Sequence, residues 1–486
     1  MQRGQRNRHS LRAGGVPLQF CLVLPDNITG FCFITSHTAS ETGHIPDEKD
    51  FITMRVWVIK MGEPLPTDGA SYRPHRIGML AEALVSRGHS VTWWASTLEH
   101  ASKRQRYDKD TNLAVNDCFE IRLLHSLAYT KNVSARRLLN HALQARKFRR
   151  ILRTETPPDI IFCCFPTIEM SRVAVEYGRK HGIPVVLDVR DLWPDNFLSV
   201  LPGRIQPLAQ LALTPYYRQT RQAFQEATAV VGISDGYLRF GLNYAGRPQG
   251  PNDAVIPLGY QRPVVDGSRL TQAADRLQSL GVRTDKRIFW FVGMFGKTYD
   301  LETVIAAARE LSRQGADDIQ FVLSGTGESE TALREAAKGL ENVVFTGRIN
   351  AVELAAMARL AHVGLMAYTQ GAPQGLPNKL FEYMCAGLPI LSCLEGETNA
   401  LLAEHTCGLS YTPGDAQSLT QAALLLAENP LQRREMGENG RRLFEERYSA
   451  DKVYRRLAEY LEAMAPSHPH EAQTTARTER ELAQAA

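Results

Sequence analysis

Three polar side chains on an otherwise apolar helix carry the first chemical signal in this sequence. In the stretch Gly371–Ser392, GAPQGLPNKLFEYMCAGLPILS, residues Asn378, Lys379 and Glu382 are spaced by one and by three, close enough to share one helical face. Leu380, Phe381, Tyr383, Met384, Cys385 and Ala386 make most of the remaining circumference apolar, so the helix is expected to be buried. A lysine in a first helical turn opposes the positive end of the helix dipole, a poor choice unless an anion sits there. The loop before it holds three breakers, Gly371, Pro373 and Gly375. The pattern predicts a helix from Pro377 to Ala386, stopped by Gly387 and Pro389, with PILSC as a short buried strand. A buried helix with one polar face behind a flexible loop suits a ligand bearing phosphate and hydroxyl groups. The plain alternative is a solvent-facing stripe closed by a Lys379–Glu382 ion pair.

Two further clusters stand where strands end. RIFWFVGMFGKTYDLETVIAAARELSRQG reads as strand, glycine loop and helix, and its loop Gly293–Lys297 offers backbone N–H groups, Gly296 and Lys297 to an anion at a helix start. Short glycine loops are common in α/β domains, and the pairing with Lys379 is what suggests a diphosphate clamp. DIQFVLSGTGES follows, with Gly325 and Gly327 permitting close approach, and then NVVFTG, after which Arg348 and Ile349 would border a base. In the first half, IPVVLDV runs straight into Arg190 and Asp191, which places both at the carboxyl edge of a buried parallel strand, where ligands bind in such sheets. There Asp191 would orient an acceptor or take its proton and Arg190 would contact a phosphate, unless the two form a salt bridge holding the loop.

The elements that must position these residues read as strand–helix alternation in two blocks, which implies parallel, doubly wound sheets. MRVWVIK from Met54 is the first strand, and the helix expected over 72–87 stops at Gly88 before HSVTWWAST. Further strands are expected at DIIFCCF, IPVVLDV, 228–232 and 254–257, and helices over 168–181 and 205–226, with Ser234 as a helix cap. The organisation expected is a first domain over 54–262, a linker over 263–285, a second domain over 286–442 and a closing helix over 443–464. Residues 1–53 imitate a signal peptide, a basic start before GGVPLQFCLVL, but are expected to be a disordered or artefactual extension, with 465–486 a disordered tail.

Composition bounds the rest. At 486 residues, 44% hydrophobic and 22% charged, the chain is long enough for two domains with cores, and a net charge of +4 is too small to argue for nucleic acid. Its eight cysteines contain no C-x-x-C pair and several sit in apolar runs, so they read as reduced core residues of a cytoplasmic protein. No zinc pattern is present, and Asp108-x-Asp110 lies in a charged loop rather than after a buried strand, so no metal is expected. The basic run 134–153, SARRLLNHALQARKFRRILR, sets an apolar stripe of Leu138, Leu139, Ala142, Ala145, Phe148 and Leu152 beside seven cations. Such a helix either lies on an anionic membrane or is an ordinary outer helix with a solvated face.

The motif P-N-K-x-F-E-Y-M-x-A-G-x-P-I resembles the donor-site motif of the retaining family 4 glycosyltransferases, and D-x-R-D-L-W-P resembles a subset that builds bacterial surface polysaccharides. The likeness spans about residues 54–464. It implies the GT-B fold, two Rossmann-like α/β domains facing across a cleft. It also implies a retaining transfer of a hexose or N-acetylhexosamine from a nucleotide diphosphate sugar, UDP-linked by expectation, to a lipid-linked or polysaccharide acceptor. By that resemblance Glu382 binds the nucleotide ribose, Gly375, Leu376, Pro377 and Asn378 belong to the donor loop, and Gly69 lies where a glycine loop approaches the substrates. Lys297, Lys379 and nearby N–H groups would stabilise the departing diphosphate in place of a metal. The sequence departs from the family at Gln374, where a sugar-binding Glu is usual, and at Met294, near a usual Arg. A GT-B sugar-nucleotide 2-epimerase and an inactive sugar-nucleotide-binding partner are the other readings. With the 134–153 helix, the enzyme is expected to sit peripherally on the inner face of the cell membrane.

Overall fold

The computed structural model describes residues 53–69, 72–131, 134–199, 203–372 and 374–465. The extension expected over 1–53, save Thr53, and the tail expected over 465–486, save Ala465, lie outside the described residues, as do Cys21 and Cys32.

The first sheet has eight strands: β1 (Arg55–Ile59), β2 (Ser90–Ser96), β3 (Thr111–Asn116), β4 (Phe119–Leu124), β5 (Ile160–Phe165), β6 (Val185–Val189), β7 (Ala229–Gly232) and β8 (Ala254–Val255). Their order is β3-β4-β2-β1-β5-β6-β7-β8, parallel except for the β3–β4 hairpin. The second sheet is wholly parallel: β9 (Arg287–Val292), β10 (Ile319–Ser324), β11 (Val343–Gly347), β12 (Val363–Met366), β13 (Ile390–Ser392) and β14 (Gly408–Ser410), ordered β11-β10-β9-β12-β13-β14. In both sheets the strand order reverses beside the first strand, between β1 and β5 and between β9 and β12. Loops leaving those strands diverge to opposite faces there and open a crevice at the carboxyl edge.

Burial follows the two-residue period of the strands. Val56 and Val58 face one layer with Ile77, Leu80 and Leu84 of α1 (Arg76–Ser86), while Trp57 and Ile59 face the other with Phe148 of α2 (Ala135–Ile151) and Val173 of α3 (Ile168–His181). The final helix, Ala450–Met464, follows the second sheet in sequence but packs on the first. Its Val453, Leu457 and Leu461 share the layer of Val56 and Val58. Backbone bonds anchor the crossing: Tyr260 N–H donates to the Tyr448 carbonyl at 3.0 Å and Ala450 N–H to the Tyr260 carbonyl at 3.1 Å.

Four helices differ from expectation, the closing helix expected over 443–464 beginning only at Ala450, after an extended Ser449. The helix expected over 72–87 starts at Arg76, because Pro74 disfavours helical backbone at Arg73 and His75 is extended. The helix expected over 205–226 is two, Gln206–Ala212 and Thr214–Glu226, with Pro215 restarting the second. Pro377 is the cap rather than the first residue of the helix Asn378–Ala386, which ends on Gly387 in the left-handed conformation at φ 72°.

The expected apolar stripe on α2 is also corrected. Ala145, Phe148 and Leu152 are buried, but Leu139 and Leu143 are 51% and 40% exposed and Ala142 is exposed. The inward face is completed by polar residues instead: Asn140, His141 and Gln144. No helix among the described residues is long and apolar enough to cross a membrane.

Candidate functional site

Between the two sheets lies a cleft of about 1270 Å³. Tyr72, Arg73, His75 and Arg190 line it from the first sheet, and Arg348, Asn378 and Glu382 from the second. Glu382, on the helix Asn378–Ala386, is 11% exposed and meets Arg73 of the opposite domain at 3.2 Å. The Arg73 guanidinium also lies 5.3 Å over the Tyr260 ring. Burial pushes the Glu382 carboxyl above its usual range, and Arg73 and Lys379 oppose that shift. Glu382 therefore faces the gap, and its ion-pair partner is Arg73 rather than the Lys379 of the plain alternative.

Lys379 is turned the other way on the same helix. It is 7% exposed, and its ammonium sits 3.7 Å from the ring centre of Tyr299, 4.6 Å from that of Phe291 and 5.2 Å from that of Tyr368. Removing an ammonium from water and surrounding it with ring faces favours the neutral amine, and burial lowers its pKa to about 7, with Glu382 opposing. The glycine loop after β9 closes over it. A methyl group at Gly293 would stand 2.7 Å from the Lys379 Nζ and 2.9 Å from its Cε. The second glycine loop packs on the first so tightly that a Cβ at Gly325 would meet the Gly293 carbonyl oxygen at 1.7 Å. Lys379 and the first glycine loop are thus brought together as the sequence suggested, with the cation beneath the loop.

Two bonds fix this geometry. The Tyr383 hydroxyl donates to the Trp290 carbonyl at 3.0 Å and accepts from Val292 N–H at 3.3 Å, tying the helix to the end of β9. Gly364 makes room for that ring, since a Cβ there would lie 2.3 Å from Tyr383 Cγ. Lys297 and Arg348 are exposed; Arg348 borders the cleft, whereas Lys297, on the same loop as Gly296, is not among its lining residues. Gly69 is exposed at φ 91°, a conformation that suits glycine, and precedes the cleft residues Tyr72 and Arg73.

Beside the loop that leads into the helix Asn378–Ala386 the two domains touch. Glu397, at the start of the helix Glu397–Glu404, accepts a hydrogen bond from Gly236 N–H at 2.6 Å, reaching the amino end of the helix Asp235–Ala245. Its Oε2 would lie 2.3 Å from a Cβ at Gly375, whose carbonyl accepts from the Thr398 hydroxyl. Ser234 holds the cap position of that helix, but its hydroxyl makes no capping bond; Ser234 Oγ, Gln374 Oε1 and Glu397 Oε2 are all buried without a partner. Leu376 packs against the core, and Pro377 and Asn378 lead into the helix.

Arg190 and Asp191 part company. Arg190 makes its ion pair with Glu63, which also accepts from Ile77 N–H at 3.0 Å. Burial alone would raise the Glu63 carboxyl, but Arg190 and Lys60 hold it below its usual range. Asp191 Oδ1 accepts from Leu192 N–H at 2.8 Å and Asn196 Nδ2 at 2.6 Å, so the Arg190–Asp191 bridge is not formed. Asp191 borders a second cavity of about 220 Å³ on the first sheet, walled by α2 and by the loops after β1, β2, β5 and β6. Arg190 lines both cavities.

Arg73 and Glu63 went unread in the sequence. Arg73, 309 residues from its partner, carried one available signal, a cation in the loop after the first buried strand. Glu63 carried none.

Residues 76–255 match the model described as Glycosyltransferase Family 4, and residues 274–443 match Glycosyl transferases group 1. The chain is 32% identical over 200 residues to the O-antigen chain mannosyltransferase C of Escherichia coli, a match covering 40% of this chain and 51%, about half, of that relative. Its fold is similar to that of a sucrose-phosphate synthase from Thermosynechococcus elongatus (TM-score 0.60, 18% identity, 83% of this chain and 97% of the other). It is also similar to Anabaena Alr3699/HepE in complex with UDP (TM-score 0.57, 15% identity, 84% and 99%). The two-sheet architecture is the GT-B fold.

Proposed function

We propose that this chain, a GT-B protein matching one glycosyltransferase family model in each half, is a retaining glycosyltransferase. In this reading it moves a hexose or N-acetylhexosamine from a UDP-sugar to a lipid-linked or polysaccharide acceptor in cell-surface glycan synthesis. The observation that carries the reading is the buried Lys379 ammonium beneath the Gly293 loop, with Glu382 facing the cleft on the same helix. A diphosphate seated on that loop would give the ammonium the counter-charge its aromatic surroundings lack. Glu382 would exchange Arg73 for the ribose hydroxyls. The UDP carried by a fold neighbour supports the choice of nucleotide.

The proposed step is a front-face displacement. The bond from the sugar C1 to the donor phosphate oxygen breaks as the acceptor oxygen bonds C1 on the same face; the acceptor proton passes to the departing phosphate, and UDP leaves. Asp191 and Arg190, at the carboxyl edge of β6, would orient the acceptor, and Lys379, Lys297 and the Gly293–Gly296 N–H groups would stabilise the diphosphate without a metal. The outward face of α2, with Arg136, Leu139, Leu143, Arg146 and Arg150 exposed, supports peripheral binding to an anionic membrane.

A panel of UDP- and GDP-sugars with an extracted lipid or glycan acceptor tests the reading. Acceptor-dependent nucleotide release, unchanged by EDTA, supports it; isomerisation without acceptor indicates an epimerase, and binding alone an inactive partner. Glu382→Ala is expected to raise the donor KM about tenfold to a hundredfold, as loss of hydrogen bonds to a charged group would, with kcat at saturating donor largely kept. A KM unchanged in steady-state kinetics would remove Glu382 from the ribose.

A further inference from the structure

The smaller cavity, walled by α2 and the strand-end loops of the first sheet, has a chemistry of its own. Gln144 is 1% exposed; its Nε2 donates to Ser96 Oγ at 2.7 Å, while its Oε1 is buried in the wall without a partner. His141, 5% exposed, likewise leaves Nδ1 without one. Two polar atoms, buried in residues that line the cavity and without a protein partner, are left for a polar ligand to satisfy.

The charges say which kind. Lys60 and Arg137 line the cavity, and Lys103 lies 5.3 Å over the ring of Tyr129, another wall residue. Arg190 is neutralised by Glu63, and the one carboxylate lining the cavity among the described residues is Asp191, which already accepts two hydrogen bonds. Lys60 makes no direct ion pair among the described residues, although with Arg190 it acts on the Glu63 carboxylate behind the wall. His100 and His141 add no positive charge near neutral pH. Burial first, and then Lys103 and Arg137 for His100 and Arg137 for His141, lower their pKa to about 4 and about 3. The result is a small concave site with more cations than carboxylates. An uncharged ligand would take water from those cations and return no charge. One aromatic wall, Trp193, is 4.6 Å from the Arg137 guanidinium. The volume of about 220 Å³ is below the roughly 300 Å³ at which drug-sized sites begin, a scale suited to one sugar ring.

We propose that this cavity seats the terminal unit of the acceptor and that this unit is a sugar bearing an anionic group, a carboxylate or a phosphate. The proposal rests on the glycosyltransferase reading and names the acceptor's chemical class. Arg190, shared by the two cavities, marks the path along which a hydroxyl of the seated sugar faces the donor.

The test is ligand-observed NMR titration of the full chain, saturated with UDP, using methyl glucuronide, glucose 6-phosphate and the neutral methyl glucoside. At least one anionic sugar is expected to bind about tenfold more tightly than the glucoside, which is about one charge-assisted hydrogen bond. Which anion prevails tells carboxylate from phosphate. The preference should shrink with added salt and fall to within about threefold in Lys60→Gln, whose side chain is half-buried in a loop and is not part of either core. Equal binding of all three sugars, or an anion preference that survives Lys60→Gln intact, overturns the proposal. UDP binding in the same samples separates the two levels: a chain that binds UDP but ignores the anion fails only here, whereas one that binds no UDP fails the donor reading.

Discussion

Lys379→Met is expected to lower sugar transfer by about 10²–10³-fold, the usual cost of removing one preorganised donor from a site of developing charge. The same substitution is expected to leave the fold intact and raise the melting temperature. Lys379 is 7% exposed with its ammonium among Phe291, Tyr299 and Tyr368, and burial lowers its pKa to about 7. A methionine fills similar space, needs no counter-charge and makes favourable sulfur–aromatic contacts. A residue kept at a cost to stability has a use elsewhere, and in the proposed function that use is to hold the diphosphate. Unimpaired transfer in the variant would remove Lys379 from the mechanism, and a lowered melting temperature would make its role structural.

The same residue sets a pH dependence. Its folded pKa of about 7 lies below the ordinary lysine value of 10.5, so between those limits the unfolded chain binds more protons than the folded one. Stability should therefore rise with pH from about 7 to 10.5 and stay at its lower level below 7, and Lys379→Met should lose that rise. Under the proposed function UDP binding should run the opposite way, because the diphosphate would need the ammonium. Affinity should weaken up to about tenfold per pH unit above 7 while the bound lysine stays protonated, and calorimetry on Lys379→Met should find that slope gone.

The second large effect is on stability. Arg76→Ala is expected to cost about 3–5 kcal/mol, the range for breaking a buried pair by deleting one partner. Arg76 and Asp188 are both fully buried side chains, joined by Nε to Oδ2 at 3.0 Å and Nη2 to Oδ1 at 2.9 Å. Arg76 also donates to the carbonyls of Pro257 at 2.7 Å and Ile256 at 3.0 Å. The substitution strands one carboxylate and two carbonyls in the interior beneath the cleft. Replacing both partners, Arg76→Met with Asp188→Leu, should cost less than the two single changes added, because no charge is left alone. Urea denaturation decides it, and a single-variant cost below about 1 kcal/mol would mean that water reaches the pair.

That pair also shows where the sequence stopped being legible. Asp188 sits in the apolar run VVLDV and Arg76 opens a helix 112 residues earlier, and nothing in either neighbourhood names the other. The strands were readable because uninterrupted Val, Ile and Phe runs admit few alternatives, and helix ends such as Gly182 and Gly387 because glycine takes the left-handed turn there. Lys379 and Glu382 stood out in the sequence because a charged pair on an apolar helix is locally anomalous. Their separation into a caged cation and a cleft carboxylate was not, because it depends on Arg73, Tyr299 and the Gly293 loop. On α2 the contrast of leucine and arginine pointed to the wrong face. Asn140, His141 and Gln144 are buried there beside the cavity, Asn140 Nδ2 donating to the Leu127 carbonyl, Gln144 Nε2 to Ser96 Oγ, and the His141 ring stacked on Trp193.

The last helix, Ala450–Met464, has a bearing on how this chain can be divided. A fragment cut at the linker would carry all eight strands of the first sheet yet leave Val56, Ile77 and Leu80 without the Val453, Leu457 and Leu461 that cover them. The amino-terminal half is therefore finished only after the carboxyl-terminal half has been synthesised, and separate production of the two halves would yield one sticky, incomplete piece. A hinge movement between the lobes must likewise carry this helix with the first lobe, so bending falls to the short connections at Tyr260 and Tyr448–Ala450.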